Sequence, residues 1–199
     1  TIGAALDAAV ARWGDRPALV VPYQNVRWSW AELARRADEV AAGLLSLGLQ
    51  PGDRVGMWAP NCAERTLTQF ATARAGLVLV NVNPAYRRSE LEYALNKVEC
   101  KALVLAPALK TSNYLEIVND LAPELAASPF GQLQSRALPH LRWVVRLGED
   151  TTAGMLNFSD LAPRATDADR ARLRDIGPTL QCQDAINIQF TSGTTGFPK

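Results

Sequence analysis

Hydrophobic residues recur with two different periods along this chain, and the two periods predict its helices and strands. Residues 2–13 carry apolar side chains every three or four positions, which predicts a first helix. A longer helix is predicted after Ser29, because Ser29 and Glu32 have the spacing of a capping box and Gly48 is a natural helix stop. The predicted buried face of this helix consists of Leu33, Ala37, Val40, Ala41, Leu44 and Leu45.

Short apolar runs of strand length alternate with further helical patterns. The predicted strands are residues 18–23, 26–28, 54–59, 77–82, 102–106, 141–147 and 185–190. Further helices are predicted at residues 62–75 after an Asn61 cap, at 89–98 after a capping box of Ser89 and Glu92, and at 113–121. Residues 122–139 are predicted to be a loop with one short helix. The turn-rich stretch 148–183 is predicted to hold short helices at 160–161 and 167–173.

The alternation of strands and helices predicts an α/β fold. The run at residues 77–82 is continuously apolar, which is typical of a strand that is buried on both faces of a parallel sheet. We therefore expect a parallel, or mixed, sheet with helices on both faces.

Composition and charge narrow the functions that this fold serves. Hydrophobic residues make up 48% of the chain, and 21 basic and 20 acidic residues leave a net charge of +1. No block of like charge occurs, which argues against a dedicated nucleic-acid surface, since such a surface needs a basic face. No apolar run reaches the length of a membrane span.

Cysteine and histidine show no pattern of metal ligands. Cys62, Cys100 and Cys182 are far apart, and their odd number favours a reducing compartment and packing roles over a disulfide framework. His140 has no neighbouring cysteine or carboxylate pattern and is predicted to lie at the surface. We therefore expect no metal site within these residues.

The last nine residues, TSGTTGFPK at 191–199, carry the clearest chemical signal. Glycines let backbone amides turn towards a ligand, and consecutive amides form an anion-binding concavity. Hydroxyls and a lysine add donors suited to phosphate. Composition alone leaves open an ordinary surface loop, because Gly, Ser and Thr are common turn residues. The spacing does not match the P-loop, since Gly193 and Gly196 are too close and Lys199 does not directly follow Gly196.

Several segments resemble one enzyme superfamily. Residues 188–199, IQFTSGTTGFPK, resemble the phosphate-binding motif of the adenylate-forming superfamily, which includes acyl-CoA ligases, aryl-CoA ligases, peptide adenylation domains and luciferases. Residues 48–64 (GLQPGDRVGMWAPNCAE) are similar to the first strand–turn–helix of the family's large domain. Residues 83–95 (NPAYRRSELEYAL) and 100–104 (CKALV) are similar to segments of fatty acyl-CoA ligases. The combination looks most like the medium-chain branch, which contains acyl-CoA synthetase family member 2.

The resemblance implies an ATP-dependent fatty acid–CoA ligase that forms an acyl-adenylate and then an acyl-CoA thioester. ATP, Mg2+ and coenzyme A are the implied cofactors and cosubstrates, and a fatty acid is the implied acid substrate. The oligomeric state stays open, with a homodimer as one candidate. The residues implied to hold the phosphates of ATP are Thr191, Ser192, Gly193, Thr194, Thr195, Gly196, Phe197, Pro198 and Lys199.

The resemblance also implies a domain assignment. Residues 1–199 would form the N-terminal part of the large AMP-binding domain, truncated at the phosphate-binding loop, with the C-terminal lysine domain absent. The adenine and ribose segments of the family lie downstream of this loop, so we expect the chain alone to be inactive. Because the chain begins at Thr1 and not at a methionine, it stays an open question whether a targeting segment has been removed. We expect the cytoplasm, with the mitochondrial matrix as the alternative.

Two other functions and two local interpretations stay open at this point. The chain could belong to another adenylating enzyme, such as an aryl-CoA ligase or a carrier-protein loading domain, or it could be a non-catalytic half-domain that binds a partner. Arg87 and Arg88 would contact the phosphates of coenzyme A or simply flank a solvated turn, and the solvated turn is the default for surface charges. The tryptophans interpreted as packing residues rather than a ligand platform are Trp28, Trp30, Trp58 and Trp143.

Overall fold

The computed structural model describes residues 1–191, which form two compact units. The first unit comprises Thr1–Gly52, Asn61–Val78 and Leu161–Ile186. The second comprises Asp53–Pro60, Leu79–Asp160 and the chain from Asn187 onwards. Each unit therefore gathers segments that are distant in sequence.

The helices and strands agree closely with the sequence-based expectation in type and order. The helices are α1 (Ile2–Trp13), α2 (Trp30–Ser46), α3 (Ala63–Arg74), α4 (Arg88–Lys97), α5 (Tyr114–Leu121), α6 (Leu161–Arg164) and α7 (Asp167–Ile176). The strands are β1 (Pro17–Val21), β2 (Val26–Ser29), β3 (Arg54–Trp58), β4 (Val78–Asn81), β5 (Ala102–Leu105), β6 (Ala108–Leu109), β7 (Ser112–Asn113), β8 (Trp143–Arg146), β9 (Leu156–Asn157) and β10 (Asn187–Gln189). Short 3-10 turns occur at Pro22–Gln24, Pro123–Ala127, Phe158–Asp160 and Gly177–Thr179.

Helix α2 is the centre of the first unit and contacts α1, α3, α6 and α7. Its start confirms the predicted capping box: the Ser29 hydroxyl accepts from the Glu32 amide at 3.2 Å, and the Glu32 carboxylate accepts from the Ser29 amide at 3.3 Å. All six residues of the predicted apolar face are buried. The local sequence of this helix was therefore sufficient to predict both its start and its packed side.

Ser29→Ala is expected to lower the free energy of unfolding by about 1 kcal/mol, because it leaves an amide of the first turn of α2 without its acceptor. Urea denaturation followed by circular dichroism measures this loss. The control is Glu32→Gln, which keeps a side-chain oxygen able to accept from the Ser29 amide, so a smaller loss is expected. Equal losses in both variants would contradict the assignment.

The start of α3 differs from the expectation. Asn61 was predicted to cap this helix, but the residue at the cap position is Cys62, whose side chain makes no capping hydrogen bond. The amide of Ala63 instead donates to the side-chain oxygen of Gln24 at 2.7 Å, and the Gln24 amide nitrogen donates to the Glu64 carboxylate at 2.9 Å. The cap comes from a turn 39 residues earlier in the chain, so local sequence spacing could not reveal it.

The second unit is built on a six-stranded sheet in the order β10-β4-β3-β5-β8-β9. Strand β10 pairs with β4, β3 with β5, β5 with β8 and β8 with β9, all in parallel. The central strands are buried on both faces, as the continuous apolar runs predicted. The predicted fold class, an α/β protein with a parallel sheet flanked by helices, is confirmed.

Several short elements were not predicted. Strand β9 and the β6–β7 hairpin each contribute two-residue strands, which are too short to show a period of two. The capping box predicted for Ser89 and Glu92 was wrong. Helix α4 already begins at Arg88, and the Glu90 carboxylate accepts from the Arg87 amide at 2.9 Å. Arginine has no acceptor atom, so this cap uses the carboxylate alone.

Candidate functional site

The predicted phosphate-binding loop begins two residues after β10. Thr191, its first residue, is exposed. The other predicted site residues lie outside the described part of the chain: Ser192, Gly193, Thr194, Thr195, Gly196, Phe197, Pro198 and Lys199. Their role as a phosphate site therefore stays a prediction.

Strand register shows which part of the sheet the loop leaves. Gln189 of β10 lies opposite Asn81 of β4 in a parallel pair. Both strands end at this pair, so the chain leaves β10 and β4 at the same level of the sheet. Ligands of open parallel sheets bind beyond the carboxyl ends of the strands. The loop thus begins at the edge of the sheet where such binding sites occur.

The connection between β4 and α4, residues 82–87, lies at this carboxyl edge, and we call it the edge segment. Its first turn is closed by Asn83, whose side-chain oxygen accepts from the Ala85 amide at 2.9 Å and whose carbonyl accepts from the Tyr86 amide at 3.0 Å. The Tyr86 side chain is buried. Burial, followed by the negative charge of Glu90, raises the pKa of Tyr86.

Two buried aromatic residues, one from the sheet and one from a helix, donate hydrogen bonds to the backbone of the edge segment. Trp58, the last residue of β3, and Tyr114, the first residue of α5, are both fully buried, and their rings stack with centroids 3.7 Å apart at an angle of 15°. The Trp58 indole nitrogen donates to the Asn83 carbonyl at 3.1 Å. The Tyr114 hydroxyl donates to the Pro84 carbonyl at 2.5 Å. Trp58 is thus a packing residue, as predicted, but its pairing with Tyr114 was missed.

The basic pair at the end of the edge segment is solvent-exposed. Arg87 and Arg88 are both exposed at the start of α4. Burial raises the pKa of Tyr114, and the positive charge of Arg87 acts in the opposite direction. Both interpretations of the basic pair, a phosphate contact and a solvated turn, stay open.

A groove of about 950 Å³ lies in the first unit, among α1, α2 and α7. Arg74 lines it and forms ion pairs with Asp7 at 2.8 Å and with Asp38 at 2.5 Å. Burial raises the pKa of Asp38, and the Arg74 charge acts in the opposite direction. Cationic and anionic side chains are mixed around this groove, so its charge favours no particular ligand.

The positions of the cysteines and the histidine are those of packing and surface residues. All three cysteines are free thiols: Cys100 is buried, Cys62 is half-buried and Cys182 is exposed. His140 is exposed. Within residues 1–191, no group of three or more histidine, cysteine, aspartate or glutamate side chains is arranged to hold a metal ion. In the same range, every helix is too short or too polar to cross a membrane.

Thiol labelling at pH 8 is expected to separate the three cysteines. Burial raises the pKa of Cys62 to about 11 and that of Cys100 to about 12, and only the thiolate reacts. Exposed Cys182 should therefore react first, Cys62 slowly and Cys100 more than about a hundredfold more slowly than an exposed thiol. An Ellman assay on the purified chain measures these phases. Cys182→Ser should remove the fast phase alone, and a fast phase from Cys100 would contradict its burial.

A parallel α/β sheet whose carboxyl edge leads into a loop rich in glycine and hydroxyl groups is the architecture of a phosphate- or nucleotide-binding α/β protein. The chain belongs to the AMP-binding enzyme family, whose model matches residues 6–199. The family match confirms the resemblance to AMP-binding, adenylate-forming enzymes that the sequence motifs indicated.

Similar proteins point towards acyl-CoA ligases. The chain is 46% identical over 199 residues to the medium-chain acyl-CoA ligase ACSF2, mitochondrial, of Bos taurus, covering 100% of the chain and 32% of that relative. It is 38% identical over 199 residues to the putative acyl-CoA synthetase YngI of Bacillus subtilis, covering 100% of the chain and 36% of that relative. The chain thus spans about a third of the length of the curated relatives it matches.

A solved structure supports the fold. The anthranilate CoA ligase AuaEII, crystallised in complex with anthranoyl-AMP, aligns with a TM-score of 0.74 over 98% of this chain and 33% of that chain, at 21% identity. At this identity, the likeness concerns the fold alone.

Proposed function

We propose that the protein to which this chain belongs is an ATP-dependent fatty acid–CoA ligase. The observation that carries this proposal is the position of the motif: the loop at 191–199 leaves β10 at the carboxyl edge of a parallel sheet, and the family match runs through it. The acyl-CoA ligases among the relatives match over the whole chain, which supports the same activity.

The proposed reaction has two displacement steps. In the first, a carboxylate oxygen of the fatty acid attacks the α-phosphorus of ATP. The bond between the α-phosphorus and the oxygen that bridges it to the β-phosphate breaks. Pyrophosphate departs, and the product is an acyl-adenylate. In the second, the sulfur of coenzyme A attacks the acyl carbon, and the thiol proton is released to solvent. A carbon–sulfur bond forms, the carbon–oxygen bond to the adenylate breaks, and AMP leaves.

The loop would act in the first step. Its amides, its hydroxyls and the Lys199 ammonium are donors that fit the β- and γ-phosphates, and they would stabilise the negative charge that develops on leaving pyrophosphate. The loop residues assigned to this role are Thr191, Ser192, Gly193, Thr194, Thr195, Gly196 and Lys199. Mg2+, bound mainly through the phosphates of ATP, would neutralise part of the same charge.

The similar proteins also support proposals for the substrate and the cellular compartment. The name of the bovine relative assigns medium-chain acids and mitochondria to that protein. This name supports medium-chain fatty acids as substrates here. It also favours the mitochondrial matrix, our alternative location, over the cytoplasm that we expected first.

Carboxylate-dependent exchange of pyrophosphate with ATP in the whole protein tests the proposal. We expect exchange with fatty acids of medium chain length and weaker exchange with short-chain, long-chain and aromatic acids. Exchange only with aromatic acids would assign an aryl-CoA ligase instead. Exchange without thioester formation on coenzyme A would favour a carrier-protein loading domain. Failure with every acid would remove the ligase function and leave the non-catalytic binding module.

Residues 1–199 alone are expected to show no exchange. The chain corresponds to 32% of the bovine relative, and we propose that residues in the remaining part of the ligase surround the adenine, ribose and acyl groups. The whole protein, assayed in parallel at equal concentration, is the control. Measurable turnover by residues 1–199 would show that these residues suffice for the first step.

A further inference from the structure

Helix α1 exposes more apolar surface than a peripheral helix usually does. Asp7 and Arg12 are its charged residues, and within Ile2–Trp13 the side chain of Leu6 alone is buried. A helix that is apolar around most of its circumference is normally covered on more than one side. The exposed apolar residues of α1 are Ile2, Ala4, Ala5, Ala8 and Ala11.

The exposed face of α1 continues into the groove of the first unit. Ala4, Ala8 and Ala11 follow the i, i+4, i+7 spacing and therefore share one face of the helix. Ala4 and Ala11 also line the groove of about 950 Å³. We call the exposed apolar residues of α1 together with this groove the α1 surface. Its small side chains allow another helix to approach closely, because the distance between packed helices depends on side-chain size.

One wall of the groove is acidic on balance. Helices α1, α2 and α3 contribute three carboxylates and two guanidinium groups to it, which leaves a formal charge of −1. These groups pair with one another: Arg74 with Asp7 and Asp38, and Arg35 with Glu39 at 2.6 Å. Asp7 is the most exposed of the three carboxylates, with 61% of its side-chain surface accessible.

The other wall of the groove is basic. Helix α7, which packs against α2 as α1 does, contributes Arg170 and Arg174 to the lining and no carboxylate. Arg170 lies 4.0 Å from the exposed Asp167, a weak pair. Arg174 is exposed and has no hydrogen-bond or ion-pair partner within residues 1–191. A small ligand of one charge would suit only one of the two walls, whereas a surface with the same two walls suits both.

We propose that a second copy of this protein binds the α1 surface and forms a dimer with twofold symmetry. A rotation of 180° about an axis along the groove places the acidic wall of each copy opposite the basic wall of the other. The apolar face of α1 would form the centre of the interface, and Asp7 of each copy would lie against Arg174 of the other. The inference does not depend on the proposed ligase function, since none of these residues is assigned to the reaction.

Sedimentation of the whole protein over a series of concentrations tests the proposal. We expect a reversible dimer with a Kd in the micromolar range that weakens at high salt, because exposed charges are screened. Ala8→Glu places a charge in the proposed centre of the interface and should raise the Kd at least about tenfold. Glutamate is a good helix former and Ala8 is exposed, so this variant should keep the fold, which far-UV circular dichroism checks.

Charge reversal tests the twofold arrangement. Asp7→Arg and Arg174→Asp each set like charges against one another twice in the dimer, so each should raise the Kd about tenfold or more. Asp38 still pairs with Arg74 in the Asp7→Arg variant. An equimolar mixture of the two variants should associate again, because both contacts in the mixed dimer join opposite charges.

Matched controls carry the same charge changes outside the groove lining. Asp120 and Arg27 are exposed, and Asp120→Arg and Arg27→Asp should leave the Kd within about twofold. A monomer at every concentration would overturn the proposal. A dimer that Ala8→Glu and both reversals leave unchanged would overturn it too, because its interface would lie elsewhere. Failure of the mixed variants to associate would refute the twofold arrangement. Absence of acid-dependent exchange would remove the ligase function and leave the dimer standing.

Discussion

Replacing Thr194 and Thr195 together by alanine is expected to lower the acid-dependent ATP–pyrophosphate exchange of the whole protein by at least about 10²-fold. The two hydroxyls are proposed donors to the β- and γ-phosphates, where charge increases as pyrophosphate leaves. Loss of one such donor from a preorganised site typically costs about 10²–10³ in rate. The effect should fall mainly on kcat, because the interaction strengthens in the transition state.

A second pair of threonines offers the matched control. Thr151 and Thr152 are adjacent in the same way but follow β8, so their replacement by alanine changes composition equally. The Thr152 hydroxyl accepts from the Arg146 guanidinium at 3.3 Å, so the melting temperature of this control is measured alongside its exchange. Exchange in this control should stay within about twofold of the unmodified protein, as for most substitutions away from a site. Unchanged exchange in the Thr194 and Thr195 variant would mean that the loop has been assigned the wrong role.

Gly43→Ala is expected to lower the free energy of unfolding by about 3 kcal/mol. Helix propensity alone predicts the opposite sign, since alanine stabilises a helix interior relative to glycine by about 1 kcal/mol. In the structure, a β-carbon at Gly43 would lie 2.4 Å from the carbonyl oxygen of Leu161 and 2.6 Å from the carbonyl carbon of the same residue. Both neighbours are backbone atoms, so α6 would have to move away from α2.

Gly3→Ala serves as the control for this prediction. Gly3 lies in α1, and a β-carbon there would meet the Arg74 side chain at 3.6 Å and the Thr1 hydroxyl at 3.9 Å, both ordinary contact distances. This variant should therefore be neutral or slightly stabilising. Thermal melting and urea denaturation of both variants measure the difference. A Gly43→Ala variant as stable as the unmodified chain would contradict the close approach of α2 and α6.

Features that depend on neighbouring residues in the chain could be predicted from the sequence. The capping box at Ser29 is an example, because its donors and acceptors lie three residues apart. The buried face of α2 is another, because its apolar period directly reflects helical geometry. The motif after β10 is a further feature of neighbouring residues. Its residue types alone indicate the family, without knowledge of the fold.

Features that join distant segments could not be predicted in this way. Gln24 caps α3 in place of Asn61, and nothing in the sequence around either residue indicates the pairing. Trp58 was predicted to be a packing residue and Tyr114 carried no prediction, and the fold shows that both donate to adjacent carbonyls of the edge segment.

The longer helices and strands, the parallel α/β class and the family could therefore be predicted from the sequence, because these depend on local periodicity and on residue chemistry within short segments. The construction of the carboxyl edge depends instead on the tertiary structure. Strand register brings the ends of β10 and β4 to the same level, and two buried donors set the path of the edge segment. The physical reason is that hydrogen bonds and close contacts between distant segments depend on the packed geometry of the whole chain, which no local spacing encodes.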